Sequence, residues 1–530
     1  MPHNYIRNYT TILKQVQHKI GKPVSVDVVI AIIESFGIKD KDTAVNYNFK
    51  DIKSLAIAIF KELSLDKYND LKNDQEIQEE LNIKEEKEGF FYEASLFIKS
   101  YLSNTSYLLA FVIQLTTIIL FGSSLYAFVG FNKLQSTTVI LGVILGMVLS
   151  GGSIQVIGNE ISKHYYLNDF SMVRKMTFYL IKQGVFILIS VLLFFNILNY
   201  LIPIYPHKVV LLTSIYAFLI GVLFLVFAPL HVLKSRIVIF ISTTLPTFLG
   251  IYLIKEGNLN IYQIHFIGLL LAIAIVLIFI LLFFKFKKAK KNTDKKYRTG
   301  VLFYNNFYFF LYGFLINIFF FIDRIIAWSS YKISNLFFPV FYEKDYEIGM
   351  DLAIIFFLLL AGSIEYNSTY FIRKLNKKRK NTKLTDINSY KKNVYDLYLK
   401  NVLLLCCTAI PIFILVQYII YGKWGYDYFF SEPIKYTNIK VAQIAMLAYF
   451  FICWGILNTS YLTVLKRQKK ALEILFMACI ANIAFGFTLS RFLAYEDSVY
   501  GLLAGAILFA GLTLKENINI LKNIDYHTPY

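Results

Sequence analysis

The sequence has little cysteine: four residues in 530. Cys406, Cys407, Cys453 and Cys479 all fall inside apolar runs, with no CxxC pair and no neighbouring histidine. That pattern points to small packing residues and away from a disulfide framework or a metal cage. No Gly-x-x-x-x-Gly-Lys-Ser/Thr loop, His-Glu-x-x-His pair or Gly-x-Ser-x-Gly elbow occurs. Neither ATP hydrolysis nor a recognised hydrolase site is therefore expected, and no cofactor is implied. Met1 is followed by Pro2, His3 and Asn4, with no apolar core nearby long enough for a signal peptide, so no cleavage is expected.

What the chain has in quantity is apolar sequence. Hydrophobic residues make up 57% of it, and the mean hydropathy is +0.54. These values exclude an ordinary soluble protein. The formal charge of +19 does not mark a nucleic-acid binder, because the basic residues sit in short connections between apolar segments. The densest cluster, Lys285 to Arg298, holds eight Lys/Arg in fourteen residues. A bilayer core needs roughly 20 apolar residues of helix. Six such segments precede the cluster, near 106–129, 137–157, 177–198, 209–230, 236–254 and 261–284. Six follow it, near 301–322, 349–371, 400–421, 440–464, 471–490 and 497–514. The expected fold is all-α: a polytopic membrane protein of about twelve transmembrane helices in two six-helix bundles, 106–284 and 301–514, joined by a basic linker at 285–300.

Basic residues orient such a chain. Lys133, Lys208 and Lys255 stand alone in the odd-numbered connections. The even-numbered ones hold Lys163, Arg174 and Lys175, then Lys234 and Arg236, then the cluster, and later the run Arg373 to Lys400. Both termini are therefore expected in the cytoplasm, including the tail 515–530. Residues 1–88 are polar enough to form a small soluble helical domain. Ile52, Leu55, Ala56, Ile59 and Phe60 lie at helical spacing behind a capping Asp51, and an acidic connector runs from Leu71 to Glu88. Residues 89–105 are expected to form an amphipathic helix at the membrane surface.

Several polar residues interrupt the apolar spans. The second carries Gly142 and Gly146, then Ser150-Gly151-Gly152-Ser153 and Gln155. Small residues there serve either close helix approach or bending. The seventh span holds Asn305 and Asn306 and ends Asp323-Arg324-Ile325-Ile326-Ala327-Trp328, read either as an interfacial anchor or as part of a transport path. Glu365 lies roughly 10 Å inside the cytoplasmic end of the eighth span at 1.5 Å per residue. A carboxylate facing lipid is costly, so it is expected to face the bundle or a wet cavity. Asn305, Asn306 and Lys182 sit at comparable depth. With Glu365 they are expected to form a polar layer closing the cytoplasmic mouth, against the simpler reading that Lys182 snorkels and the asparagines join helices.

The Asp323–Trp328 ending, with the following Tyr346-Glu347-Ile348-Gly349-Met350-Asp351-Leu352-Ala353, resembles the PelG family of exopolysaccharide transporters. That family belongs to the multidrug/oligosaccharidyl-lipid/polysaccharide flippase (MOP) superfamily. Ser150–Gln155 with Ile161-Ser162-Lys163, and Asn523-Ile524-Asp525-Tyr526-His527, resemble further motifs of the same family. The similarity runs over about 90–530; the first 88 residues are an addition to it. The resemblance implies export of a Pel-type amino-sugar polymer across the bacterial inner membrane. It implies as partners a cytoplasmic glycosyltransferase that feeds the polymer and small inner-membrane subunits. An ion gradient or the push of synthesis would then drive transport. A lipid-linked oligosaccharide or drug flippase of the same superfamily, and a membrane-embedded glycosyltransferase or acyltransferase, remain as alternatives.

Overall fold

In the computed structural model the described residues are parts of 9–62, and 90–522 without 106–107, 168, 288–298, 331–337, 382–386, 424, 427 and 429–432. The acidic connector, most of the basic cluster and the motif at 523–527 lie outside them. The chain divides into two units, 1–98 and 99–530.

The first unit contains α1 (Val26–Ser35) and a second helical stretch at 52–60. Ile52, Leu55, Ala56 and Ile59 are buried with Ile12, Val16, Val29 and Ile33 in one small core. The stretch at 52–60 is capped as its sequence suggests. The Ser54 amide donates to Asp51 Oδ1 (2.7 Å) and the Ile52 amide to Asp40 Oδ1 (2.9 Å). Hydrogen bonds from Ser54 hold the Asp51 carboxyl below the usual carboxylate range.

One helix, α2 (Phe90–Asn104), includes the division point at residue 98. It is followed by α3 (Leu108–Phe121), α4 (Lys133–Tyr166), α5 (Phe170–Leu201), α6 (His207–Val232), α7 (Arg236–Glu256) and α8 (Ile261–Phe286). After the basic linker come α9 (Thr299–Ser330), α10 (Lys344–Asn381), α11 (Ile387–Tyr421), α12 (Tyr436–Val464), α13 (Gln468–Phe492) and α14 (Val499–Lys522). Among the described residues, eleven helices are long and apolar enough to cross a membrane, and α3 is a shorter apolar one. Among the described residues there is no strand, only an isolated bridge between Ser123 and Phe128.

Two expectations about spans need correction. The first span does not continue to residue 129. The helix stops at Phe121, where Gly122 takes φ 68°, and the chain folds back so that the Leu125 amide reaches Gln114 Oε1 (2.9 Å). The seventh span does not end at residue 322, because α9 runs on through Asp323, Arg324 and Trp328. The interfacial-anchor reading of this ending fails, since Trp328 is only 1% exposed. Neighbouring side chains match the charges, so the helix has no need to leave the apolar layer at Asp323. The segment expected at the membrane surface ends against a helix: Tyr101 Oη, on α2, donates to the Leu359 carbonyl of α10 (2.9 Å).

Each set of six helices has its own core. One gathers residues between Leu125 and Phe284. The other gathers residues between Ile316 and Leu521, with Ile144 of α4 reaching into it. The small residues of α4 act in close approach, and α4 stays one helix throughout. Gly142 and Gly146 lie against Tyr216, Ala217 and Gly221 of α6, inside the first bundle. Gly151 and Gly152 lie against Phe310, Gly313 and Asn317 of α9, where the bundles meet. A Cβ at Gly313 would stand 2.4 Å from the Gly151 carbonyl oxygen, whereas one at Gly158 meets nothing within 4 Å.

Gly313→Val is therefore expected to cost about 1–3 kcal/mol, seen as a lower melting temperature of the detergent-purified protein. Gly158→Ala should be neutral or slightly stabilising. Equal melting of the two variants would contradict the close contact.

Candidate functional site

The helix ends meeting in the second bundle bring charge together. Asp323 and Arg324 are consecutive on α9, and Glu347 and Asp351 lie one turn apart on α10. Asp323, Arg324 and Glu347 are buried, as are Tyr346, Tyr449 and Trp328 around them. Arg324 pairs with Glu347, and its Nη1 lies 3.8 Å from Asp351 Oδ1. Tyr346 Oη donates to Asp323 Oδ2 (2.7 Å). The Tyr449 hydroxyl and the Trp328 indole stand beside Arg324 and Glu347, short of good hydrogen-bond geometry. One guanidinium thus serves three carboxyl groups.

Asp351 differs from the others. Its side chain is 71% exposed, yet it lies within electrostatic reach of Tyr126 on the α3–α4 connection of the first bundle and of Tyr342. Open to solvent and surrounded by protein, it belongs to the wall of the cleft between the bundles. Helical spacing extends that wall. Asp351, Ile355, Leu358, Gly362, Glu365 and Thr369 follow at three- and four-residue steps, and Gly362 faces Tyr101 and Thr105. Chemically, a solvent-open carboxyl that shares one guanidinium with two other carboxyl groups can take up a proton or a positively charged group.

Glu365 lies on this face, 48% exposed on its side chain, and pairs across the cleft with Arg236 at the start of α7. Arg236 also donates to the Ser103 carbonyl at the end of α2. A second polar group lies near the same end. Asn306 is buried; its Nδ2 donates to Glu160 Oε1 (3.0 Å), and its Oδ1 accepts from Asn159 Nδ2 (2.9 Å). Glu160 also pairs with Lys163 at 2.7 Å. The expected layer of Glu365, Asn305, Asn306 and Lys182 is therefore not formed. Lys182 and Asn305 are exposed and make no hydrogen bond or ion pair among the described residues, while Glu365 and Asn306 belong to separate groups. Asn305 and Asn306 are consecutive on α9, so they point about 100° apart and only one can face α4. Gln155 lies on α4 against Gly313.

Arg236, Glu160, Glu347 and Asp351 were not among the residues the sequence nominated. Arg236 reads as a loop charge. Glu347 and Asp351 carried a usable signal: two acids at i and i+4 at the start of an apolar span, opposite an Arg at the end of the preceding one.

No family model and no curated protein matches this chain. Solved structures do. One is described as the outward-facing conformation of a multidrug resistance MATE family transporter of the MOP superfamily. It is 13% identical, covers 81% of this chain and 96% of its own, and has a TM-score of 0.55. A MOP superfamily transporter from Pyrococcus furiosus, described by the reverse polarity of its binding pocket, is 14% identical over 80% and 96%, with a TM-score of 0.55. The eukaryotic MATE transporter AtDTX14 is 13% identical over 81% and 98%, with a TM-score of 0.52. The chain shares the fold of these proteins.

Arg324→Leu leaves Glu347 buried and unpaired and is expected to cost about 3–5 kcal/mol. Asp351→Asn, at a solvent-open position, should change stability by less than about 1 kcal/mol. Thermal unfolding of the two purified variants separates these outcomes, and similar losses in both would place Asp351 in the core.

Proposed function

We propose that this chain is a membrane transporter, the exporting subunit of a complex that makes an exopolysaccharide, a Pel-type amino-sugar polymer. The observation that carries the transport reading is the shared fold: two six-helix bundles, each with its own core, meeting along α4 and α9 with a charged cleft wall between them. The resemblance of Asp323–Trp328 and Tyr346–Ala353 to the PelG family supports the polymer. The partners in this reading are a cytoplasmic glycosyltransferase and small inner-membrane subunits. The bilayer is the bacterial inner membrane, with both termini cytoplasmic. The Arg236–Glu365 pair then closes the cytoplasmic end of the cleft, and the carboxyl-rich wall at Asp351 supplies a group for coupling to a cation or proton gradient. Residues 1–88 act in docking or regulation. A second reading is a lipid-linked oligosaccharide or drug flippase, favoured by the multidrug transporter among the proteins that share the fold. Secretion of polymer by cells carrying or lacking the chain, set beside their accumulation of cationic dyes, decides between the two.

A periplasm-active phosphatase fused after Lys332 should be active and one fused after Lys380 silent; the reverse pattern overturns the orientation. At equal protein levels, Glu365→Gln is expected to reduce export and Glu365→Leu to abolish it. The exchange Arg236→Glu with Glu365→Arg should restore much of it. Full export by Glu365→Leu removes the pair from the mechanism. Deleting residues 2–85 should leave the membrane part inserted while weakening export.

A further inference from the structure

The far end of the cleft is closed in a different way. After α9, residues 338–343 (Phe-Pro-Val-Phe-Tyr-Glu) run to the start of α10 without helix or strand. Such a segment must satisfy its backbone groups elsewhere. At its base the Phe341 amide donates to the Trp328 carbonyl of α9 (3.2 Å). Tyr342 also packs edge-on against Trp328, and further polar contacts of the segment reach the first bundle. Tyr205, between α5 and α6, uses one hydroxyl for both polar groups of Val340. It donates to the carbonyl (2.7 Å) and accepts from the amide (3.0 Å). Its ring lies flat on Phe338, with centroids 5.1 Å apart and planes 7° from parallel. The Tyr342 amide donates to Thr137 Oγ1 of α4 (3.0 Å). Lys133, also on α4, pairs with Glu343 at 2.7 Å and lies over the Phe341 ring at 5.2 Å.

Tyr205 is itself held for this task. Asn199, buried near the end of α5, donates through Nδ2 to the Tyr205 carbonyl and accepts at Oδ1 from its amide, both at 3.0 Å. Pro203 and Pro206 stiffen the turn on either side. Burial raises the pKa of the Tyr205 hydroxyl, so it remains a donor at physiological pH. The opposite end of the cleft relies on the Arg236–Glu365 pair, with Glu365 half-exposed.

We infer that residues 338–343 are a strap closing the outward end of the cleft, that Tyr205 is its clasp, and that Tyr205 and Phe338, once parted, form an exit subsite for carbohydrate. Parting costs the two hydrogen bonds to Val340 and uncovers two flat aromatic faces at the mouth. Such faces suit the CH faces of a sugar ring, so a passing sugar replaces the ring stack that its passage breaks. The strap rests on the geometry and on the orientation read from the basic loops; the carbohydrate subsite rests also on the export reading.

The test uses the full-length chain with its four cysteines changed to alanine and with Ile355→Cys, one turn from Asp351 on the cleft wall, as reporter. A membrane-impermeant maleimide is applied to the outside of intact cells. With the strap closed the reporter should label slowly. Tyr205→Phe keeps the ring and loses both bonds to Val340; labelling should rise about tenfold, the shift expected from losing a hydrogen-bonded pair. Lys133→Gln should raise it less. An unchanged rate in Tyr205→Phe overturns the strap. Exported polymer then tests the subsite. Tyr205→Phe should export at least as well as the parent, whereas Tyr205→Leu, equally unlatched but without a ring, should export severalfold less. Equal export by the two overturns the carbohydrate subsite. If the parent exports no polymer at all, the export reading and the subsite fall together, while the labelling still decides the strap.

Discussion

Charge inside an apolar layer must be matched by neighbours, and this constraint organises the second bundle. Arg324 cannot stand on α9 alone. Its guanidinium is met by Glu347, with Asp351 a turn further along α10, while Tyr346 occupies the adjacent Asp323. The same requirement lets α9 continue past Asp323 to Ser330, because a paired charge no longer forces the helix to end. The pairing ties α9 to α10 and leaves the Asp351 carboxyl open to solvent beside the first bundle.

The two bundles are joined sparingly. Apart from Ile144 of α4 their cores are separate, and the close contact between α4 and α9 depends on glycines that let two backbones approach. What holds the ends of the cleft is a small set of side-chain contacts. At one end Arg236 reaches Glu365, and Asn159 and Glu160 reach Asn306. At the other, Lys133, Thr137 and Tyr205 reach the segment 338–343. Hydrogen bonds and ion pairs of this kind are modest individually. Rocking one bundle against the other would break a few polar contacts and, apart from Ile144 of α4, leave the buried residues of each core with their own bundle.

Long helices were legible because a bilayer-length apolar run has a single solution. The short first helix was not legible. Gly122 and the recapture of Leu125 by Gln114 are local events inside a run that remains apolar. The paired asparagines show the same limit at a smaller scale. Asn305 and Asn306 are equivalent in composition and depth, yet one is buried between helices and the other is exposed. That distinction is set by the angle at which α9 meets α4.

The sequence by itself determined the all-helical membrane class, the two sets of six and the presence of polar residues that lipid cannot accept, because hydropathy and period are properties of a segment. It also marked Glu365 as a residue that must turn away from lipid. Only the tertiary structure decided which partner each polar residue found: Arg236 for Glu365, Glu160 for Asn306, Glu347 for Arg324 and the backbone of Val340 for Tyr205. These pairs join residues between 23 and 146 positions apart in the chain. No local pattern encodes them, because they depend on how whole helices dock, and helix docking is settled by packing over the full length of α4, α9 and α10.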